Sequence, residues 1–117
     1  MSRVFQPDSS NEETAEPEIR INASLASEYV GRAAEVCGPV ASVSYNPQID
    51  GKPTFINFGH PHPDQYFTAV IWGRNRSKWD VPPEQQYQNQ RICVSGVIEM
   101  HEDTPQIIVE DPGQVSN

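Results

Sequence analysis

Two stretches, Gly51-Lys-Pro-Thr-Phe-Ile-Asn-Phe-Gly59 and Gln65-Tyr-Phe-Thr-Ala-Val-Ile-Trp72, decide how this chain folds. Both are rich in aromatic and β-branched residues, and both are bounded by turn residues, which is the pattern of short strands. Asn46-Pro-Gln-Ile-Asp-Gly51 before the first is a turn by composition, with Asp50-Gly51 at its tip. Gly59-His-Pro-His-Pro-Asp64 separates the two. Working outward, Val30–Tyr45 precedes them as a Val- and Ala-rich run broken by Gly38-Pro39. Glycine inside a strand marks a bulge or bend, and proline fits only an edge or a bulge. Arg91-Ile-Cys-Val-Ser-Gly-Val-Ile-Glu-Met100 and Gln106-Ile-Ile-Val-Glu110 follow as a fourth and a fifth run. Between the third and fourth lies Pro82-Pro-Glu-Gln-Gln-Tyr87, where proline suits the first turn of a helix. The expected order is β-β-β-α-β-β.

The chain has 117 residues, room for one small domain. Its apolar share is only 36%, with 11 prolines, against the usual ~45–50%, so part of it is expected not to fold. That part is residues 1–24, an acidic leader, with the folded domain spanning 25–117. Met1 to Glu28 carries six acids and two bases, half of the net charge of −8. Too few large apolar side chains lie there to offset the entropy of ordering. The leader reads as a solubilising segment or as an autoinhibitory mimic of a nucleic-acid backbone. Asn22 or Ser24 is placed to cap a short helical turn at its end. No apolar run approaches the ~18 residues of a membrane span. The first residues also lack the apolar core of about 7–15 residues found in an export signal, so a cytoplasmic address is expected. There Cys37 and Cys93, in runs that would be neighbours in a closed sheet, are expected to be buried thiols, with a redox pair as the alternative.

Val36-Cys-Gly-Pro-Val40 and Val94-Ser-Gly-Val-Ile98 each set a glycine among apolar residues. Two equivalent bends let a small sheet curl and close. The element order is that of the OB-fold, a five-stranded Greek-key barrel with one short helix between strands 3 and 4. The wording of the runs, together with Phe67-Thr-Ala-Val-Ile-Trp-Gly73 and Pro105-Gln-Ile-Ile-Val-Glu-Asp-Pro112, resembles small bacterial OB-fold domains that occur alone or attached to nucleases. The likeness covers about Tyr29 to Val115 and leaves out the leader. It implies binding of single-stranded or unwound nucleic acid, with any nuclease chemistry on a separate domain that this sequence does not contain.

Alternation assigns the faces of the sheet. Phe55 and Asn57 share one side of the second run, and Tyr66, Thr68 and Trp72 one side of the third. The polar members mark these sides as outward. Exposed rings there stack on bases, and Asn57 hydrogen-bonds base edges. The competing reading packs Trp72 and Phe55 under a loop or against the leader. Arg74, Arg76 and Lys78, with Trp79 beside them, form a short basic loop for phosphates, which Lys52 and Arg91 extend. The competing reading is a solvated loop with Trp79 capping the barrel.

Residues 29–117 hold ten acids against six bases. Non-specific nucleic-acid affinity comes largely from counterion release, so binding to single-stranded DNA or RNA is expected to be weak and to lean on stacking. The same face, or a strand edge, would alternatively receive a protein, a peptide or a nuclease partner. His60-Pro-His-Pro-Asp64 has metal-binding residue types, but the intervening prolines restrict convergence of the two imidazoles. No phosphate loop, nucleophile elbow or spaced carboxylate pair is present. The expectation is a non-catalytic module with no cofactor and no metal.

Overall fold

One long strand organises the fold. The computed structural model describes residues 19–117, and β2 (Ala33–Tyr45) runs for 13 of them. That length lets β2 serve two antiparallel partners in turn. Ala33–Pro39 pairs with β5 (Arg91–Val97), and Val40–Tyr45 pairs with β3 (Thr54–Phe58). The handover falls at Gly38-Pro39, and a register shift follows between Val40 and Ser42. This is where the sequence places a bend. A Cβ on Gly38 would sit 3.2 Å from that of Ala23 and 3.5 Å from the Phe58 ring, a tight fit that a small residue suits.

The rest of the sheet grows from β3. It pairs antiparallel with β4 (Phe67–Ile71), which pairs in parallel with β7 (Thr104–Ile108). The short β6 (Glu99–His101) pairs with β7, and β8 (Val115–Ser116) with β5. The order is β6-β7-β4-β3-β2-β5-β8, with β1 (Arg20–Asn22) added in parallel to β2. The described chain is thus mostly β, in one mixed sheet of eight strands rather than the five expected. β5 and β6 are halves of one run interrupted only at Ile98, whose N–H and C=O bond to Arg32 and Gly31. This run meets β2 with its first half and β7 with its second.

Inside lie Val36, Ile56, Phe58, Phe67, Ile71, Ile92, Val94, Ile98 and Ile107, all buried. Phe58 and Phe67 meet edge to face at 5.2 Å, a favoured aromatic geometry. The helix expected at 82–87 appears as α1 (Pro83–Gln86), a single turn after a 3₁₀ segment, Gly73–Lys78. Among the described residues no helix is long and apolar enough to cross a membrane.

Two departures from expectation concern long-range partners. The boundary drawn at residue 24 falls inside ordered structure. Arg20–Asn22 forms β1, Asn22 caps a 3₁₀ segment (Ala23–Tyr29) by accepting the Ser24 N–H, and Ile21, Ala23 and Ala26 are buried. The earlier part of the leader, with the autoinhibitory role considered for it, lies outside the described residues. The expected thiols are replaced by a disulfide, Cys37–Cys93, spanning 56 residues of sequence. The β2–β5 register sets the two cysteines directly opposite each other, a relation that composition cannot reveal.

Candidate nucleic-acid interface

The β2–β3–β4 register builds the face expected to stand outward row by row, and most of its β3 and β4 members, Asn57, Thr68 and Val70, are buried rather than open to solvent. Ser42 lies opposite Asn57 and Asn57 opposite Thr68; in the next row Ser44 lies opposite Phe55 and Phe55 opposite Val70. The polar row is linked by side-chain hydrogen bonds from strand to strand, although Gln65 Oε1 at its end is buried without a partner among the described residues. Gln65 Nε2 donates to Thr68 Oγ1 (3.1 Å), Thr68 Oγ1 to Asn57 Oδ1 (3.1 Å), and Asn57 Nδ2 to Ser42 Oγ (3.1 Å). Asn57 and Thr68 are buried within this row. Their hydrogen-bonding capacity goes chiefly to each other, so they stiffen the face instead of standing open to base edges. Gln65 and Ser42 were not singled out from sequence, and only the cross-strand register reveals them. Phe55 is half-buried beside the row.

An aromatic residue stands at each end of β4. Tyr66 is 45% exposed. Its hydroxyl lies 3.2 Å from His60 Nε2, and the two rings meet edge to face at 5.1 Å. Trp72 is half-buried, with its six-membered ring against Gly51 in the β2–β3 turn. At roughly 3.3 Å per residue the two aromatics are about 20 Å apart along the strand. Lys52 sits at the Trp72 end, where a Cβ on Gly73 would come within 2.9 Å of the Lys52 Cβ. Arg74 is exposed one residue further on.

The remainder of the basic loop serves the fold. Arg76 forks onto Glu84 (2.8 and 3.1 Å), donates to Thr54 Oγ1 (2.8 Å) and lies over the Tyr45 ring at 3.7 Å. The hydrogen bonds raise the guanidinium pKa and hold the Glu84 carboxyl below its ordinary range, both against desolvation. Arg76 therefore joins Gly73–Lys78 to α1 and to β3, instead of offering its fork to phosphate. Trp79 is only 7% exposed and donates from Nε1 to Tyr87 Oη at 2.8 Å. Burial pushes the Tyr87 phenol up, partly offset by that bond. Trp79 is a core residue, and the stacking role expected of it gives way to this packing. Lys78 is exposed and its Nζ donates to the Glu110 carbonyl at 2.9 Å. Arg91 lies elsewhere, on β5 against the β1 side of the molecule.

The histidine cluster does not converge. His60 engages Tyr66, while His62 Nδ1 lies 3.3 Å from Gln65 Nε2. Glu35, Cys37 and Cys93 form the one group of metal-type donors among the described residues. Its two sulfurs are joined to each other, which leaves no thiolate for a metal.

No protein-family model matches the chain, and no curated protein matches it. A solved structure described as a putative aspartyl-tRNA synthetase from Leishmania major Friedlin is similar over 91% of this chain, with a TM-score of 0.51 and 16% identity. The chain spans 21% of that protein. At this identity the likeness is one of fold.

Proposed function

We propose that the chain is a non-catalytic, five-stranded OB-fold barrel that binds single-stranded nucleic acid weakly on the outer β3–β4 face. In this reading β2, β3, β4, the β5–β6 run and β7 are the five strands, and β1 and β8 are short additions. Closure is supported by the β5–β6 run, which bonds to β2 and then to β7. Gly96 supports it too, since a Cβ there would fall 2.6 Å from Ile107 Cγ2. The fold likeness to a protein named as a tRNA synthetase is consistent with a nucleic-acid ligand.

The observation that carries the reading is the half-exposed Tyr66 ring at one end of β4, beside the hydrogen-bonded row that crosses β2, β3 and β4, with Trp72 at the other end of the strand. Base stacking on such rings contributes about 1–3 kcal/mol per base. Phe55 supplies apolar contact between them. Lys52 and Arg74 at the Trp72 end are the phosphate contacts, and two cations give a salt slope of only about −1.4 for a single strand.

The test is titration with an oligo(dT) of about a dozen nucleotides, within the ~4–16 that one such barrel accommodates. Trp72 emission is expected to quench saturably, while sealed Trp79 serves as an internal reference. Unchanged fluorescence and unchanged mobility at low salt, up to high micromolar strand, sink the proposal. A protein-binding reading draws on the exposed Val97 and Met100 of the β5–β6 run and on the acidic charge. A mass that rises with concentration, without strand binding, favours it. A cytoplasmic address belongs to the proposal with one condition: in that compartment a disulfide is as a rule transient and redox-active.

A further inference from the structure

The Cys37–Cys93 disulfide does not sit in a sealed core. It lines an open depression of about 620 Å³ beside β1, together with Arg20, Ile21, Asn22 and Arg91. The two sulfurs differ in their surroundings. Cys37 is half-buried, whereas Cys93 is 9% exposed. Arg20 reaches from β1 to place Nη2 3.7 Å from Cys93 Sγ. The same guanidinium pairs through Nε with Glu35 Oε1 at 3.0 Å. The Glu35 carboxylate lies within 4.8 Å of both sulfurs, so an ion pair stands directly beside the disulfide, with Arg91 a second cation lining the depression.

Thiol–disulfide exchange is governed by which sulfur an attacking thiolate can reach and by how well the other sulfur leaves as a thiolate. Here the two conditions select opposite members of the pair. Cys37 is the less buried residue of the two, and Cys93 is the one whose sulfur lies beside a positive charge that stabilises its anion. We propose that this depression is a site of thiol exchange for a low-molecular-weight thiol or an exposed dithiol, with Cys37 as the attacked sulfur and Cys93 as the leaving group.

An external thiolate attacks Cys37 Sγ, forming a new S–S bond and breaking the Cys37–Cys93 bond, and Cys93 departs as a thiolate beside Arg20. A second external thiolate then attacks the external sulfur of the mixed disulfide and releases Cys37. Two thiols are oxidised to one disulfide, the protein pair is reduced by two electrons, and the cysteines take up the two protons the external thiols gave up. Arg20 is a positioning residue in this scheme, since it stabilises the leaving sulfur and forms no bond with the incoming thiol. Glu35 opposes it, both by its own charge and by holding the guanidinium.

The full-length chain is treated with reduced glutathione, quenched with acid, and mapped by peptide mass spectrometry. The trapped glutathione is expected on Cys37, in roughly tenfold or greater excess over Cys93. The rate of reduction should fall about threefold or more in Arg20→Gln, stay near the parent in Arg20→Lys, and rise in Glu35→Gln. Opposite shifts for Arg20→Gln and Glu35→Gln separate electrostatics from a loosened β1, because both substitutions break the same ion pair. Four results overturn the proposal: glutathione spread evenly or found on Cys93, equal acceleration by both neutral variants, rates within experimental error of the parent in all three, or two free thiols in the unreduced, denatured chain. If Arg20→Gln fails to fold, the mapping and the Glu35→Gln rate decide alone.

Discussion

The two ends of β4 use the same device to opposite effect. At one end Gly59, at φ +86°, carries the Tyr66 ring; at the other Gly51, at φ +82°, carries Trp72. Both glycines adopt a left-handed backbone that other residues resist. A Cβ would also strike the ring, at 2.4 Å from Tyr66 and 2.9 Å from Trp72. What surrounds the rings differs. Beyond Trp72 the chain is anchored, since Gly73 donates to the Gly51 carbonyl at 2.8 Å and Arg76 locks the next turn onto β3 and α1. Beside Tyr66 the residues from 60 to 64 are exposed. One ring is built into the fold and the other is offered to solvent. A stacking site needs both: a fixed floor and a free face.

The comparison breaks most visibly at its anchor. Arg76→Ala leaves Glu84 and Thr54 without their donor and removes the cation over Tyr45. The expected loss is about 2–4 kcal/mol in denaturant unfolding; a loss inside ~0.5 kcal/mol means the Trp72 end is not anchored this way. Next is the free ring. Tyr66→Ala should weaken oligo(dT) binding by about 1–3 kcal/mol and change unfolding by no more than ~0.5 kcal/mol. Trp72→Ala should lower both, and identical profiles for the two variants erase the distinction.

The glycines sharpen the same contrast. Gly51→Ala and Gly59→Ala each place a Cβ at positive φ, at a cost of roughly 1–2 kcal/mol. Gly51→Ala should sit at the upper end, because the indole has less room to move away. Gly59→Ala should act more on oligonucleotide binding, because it displaces Tyr66. The smallest effect is the pH response of the anchor. The Glu84 carboxyl is held below its ordinary 4.5 by Arg76. Its contribution is therefore fully present above that value and disappears as pH falls through the lowered one. Thermal melts of the parent and of Glu84→Gln should differ at neutral pH and converge under acid conditions. A constant gap down to pH 3 contradicts the assignment.

Much of the strand pattern is readable without coordinates. The alternation of Thr54–Phe58 and Phe67–Ile71 puts Ile56 and Phe58 on the core side and Asn57 on the opposite face; Ile56 and Phe58 are buried as expected, but Asn57 is buried too, inside its hydrogen-bonded row. The cap at Asn22, the bend at Gly38-Pro39 and the helical turn after Pro82 are local signals as well, each set by a residue's own donors, acceptors or ring. The site is less legible. Arg74, Arg76 and Lys78 look alike as text. Yet Arg74 is exposed, Arg76 is bound to Glu84, Thr54 and Tyr45, and Lys78 reaches Glu110. Trp72 and Trp79 look equally available, and Tyr87 takes one of them inside.

Sequence alone determined the runs, their breaks and which side of each run is apolar, because those follow from a period of two and from glycine and proline chemistry. Tertiary structure alone decided the partners. It joined Cys37 to Cys93, completed the row from Ser42 to Gln65, drew Arg20–Asn22 into the sheet, and chose which ring faces water. These depend on the register between segments far apart in the chain, and shifting that register by one residue turns every side chain to the opposite face.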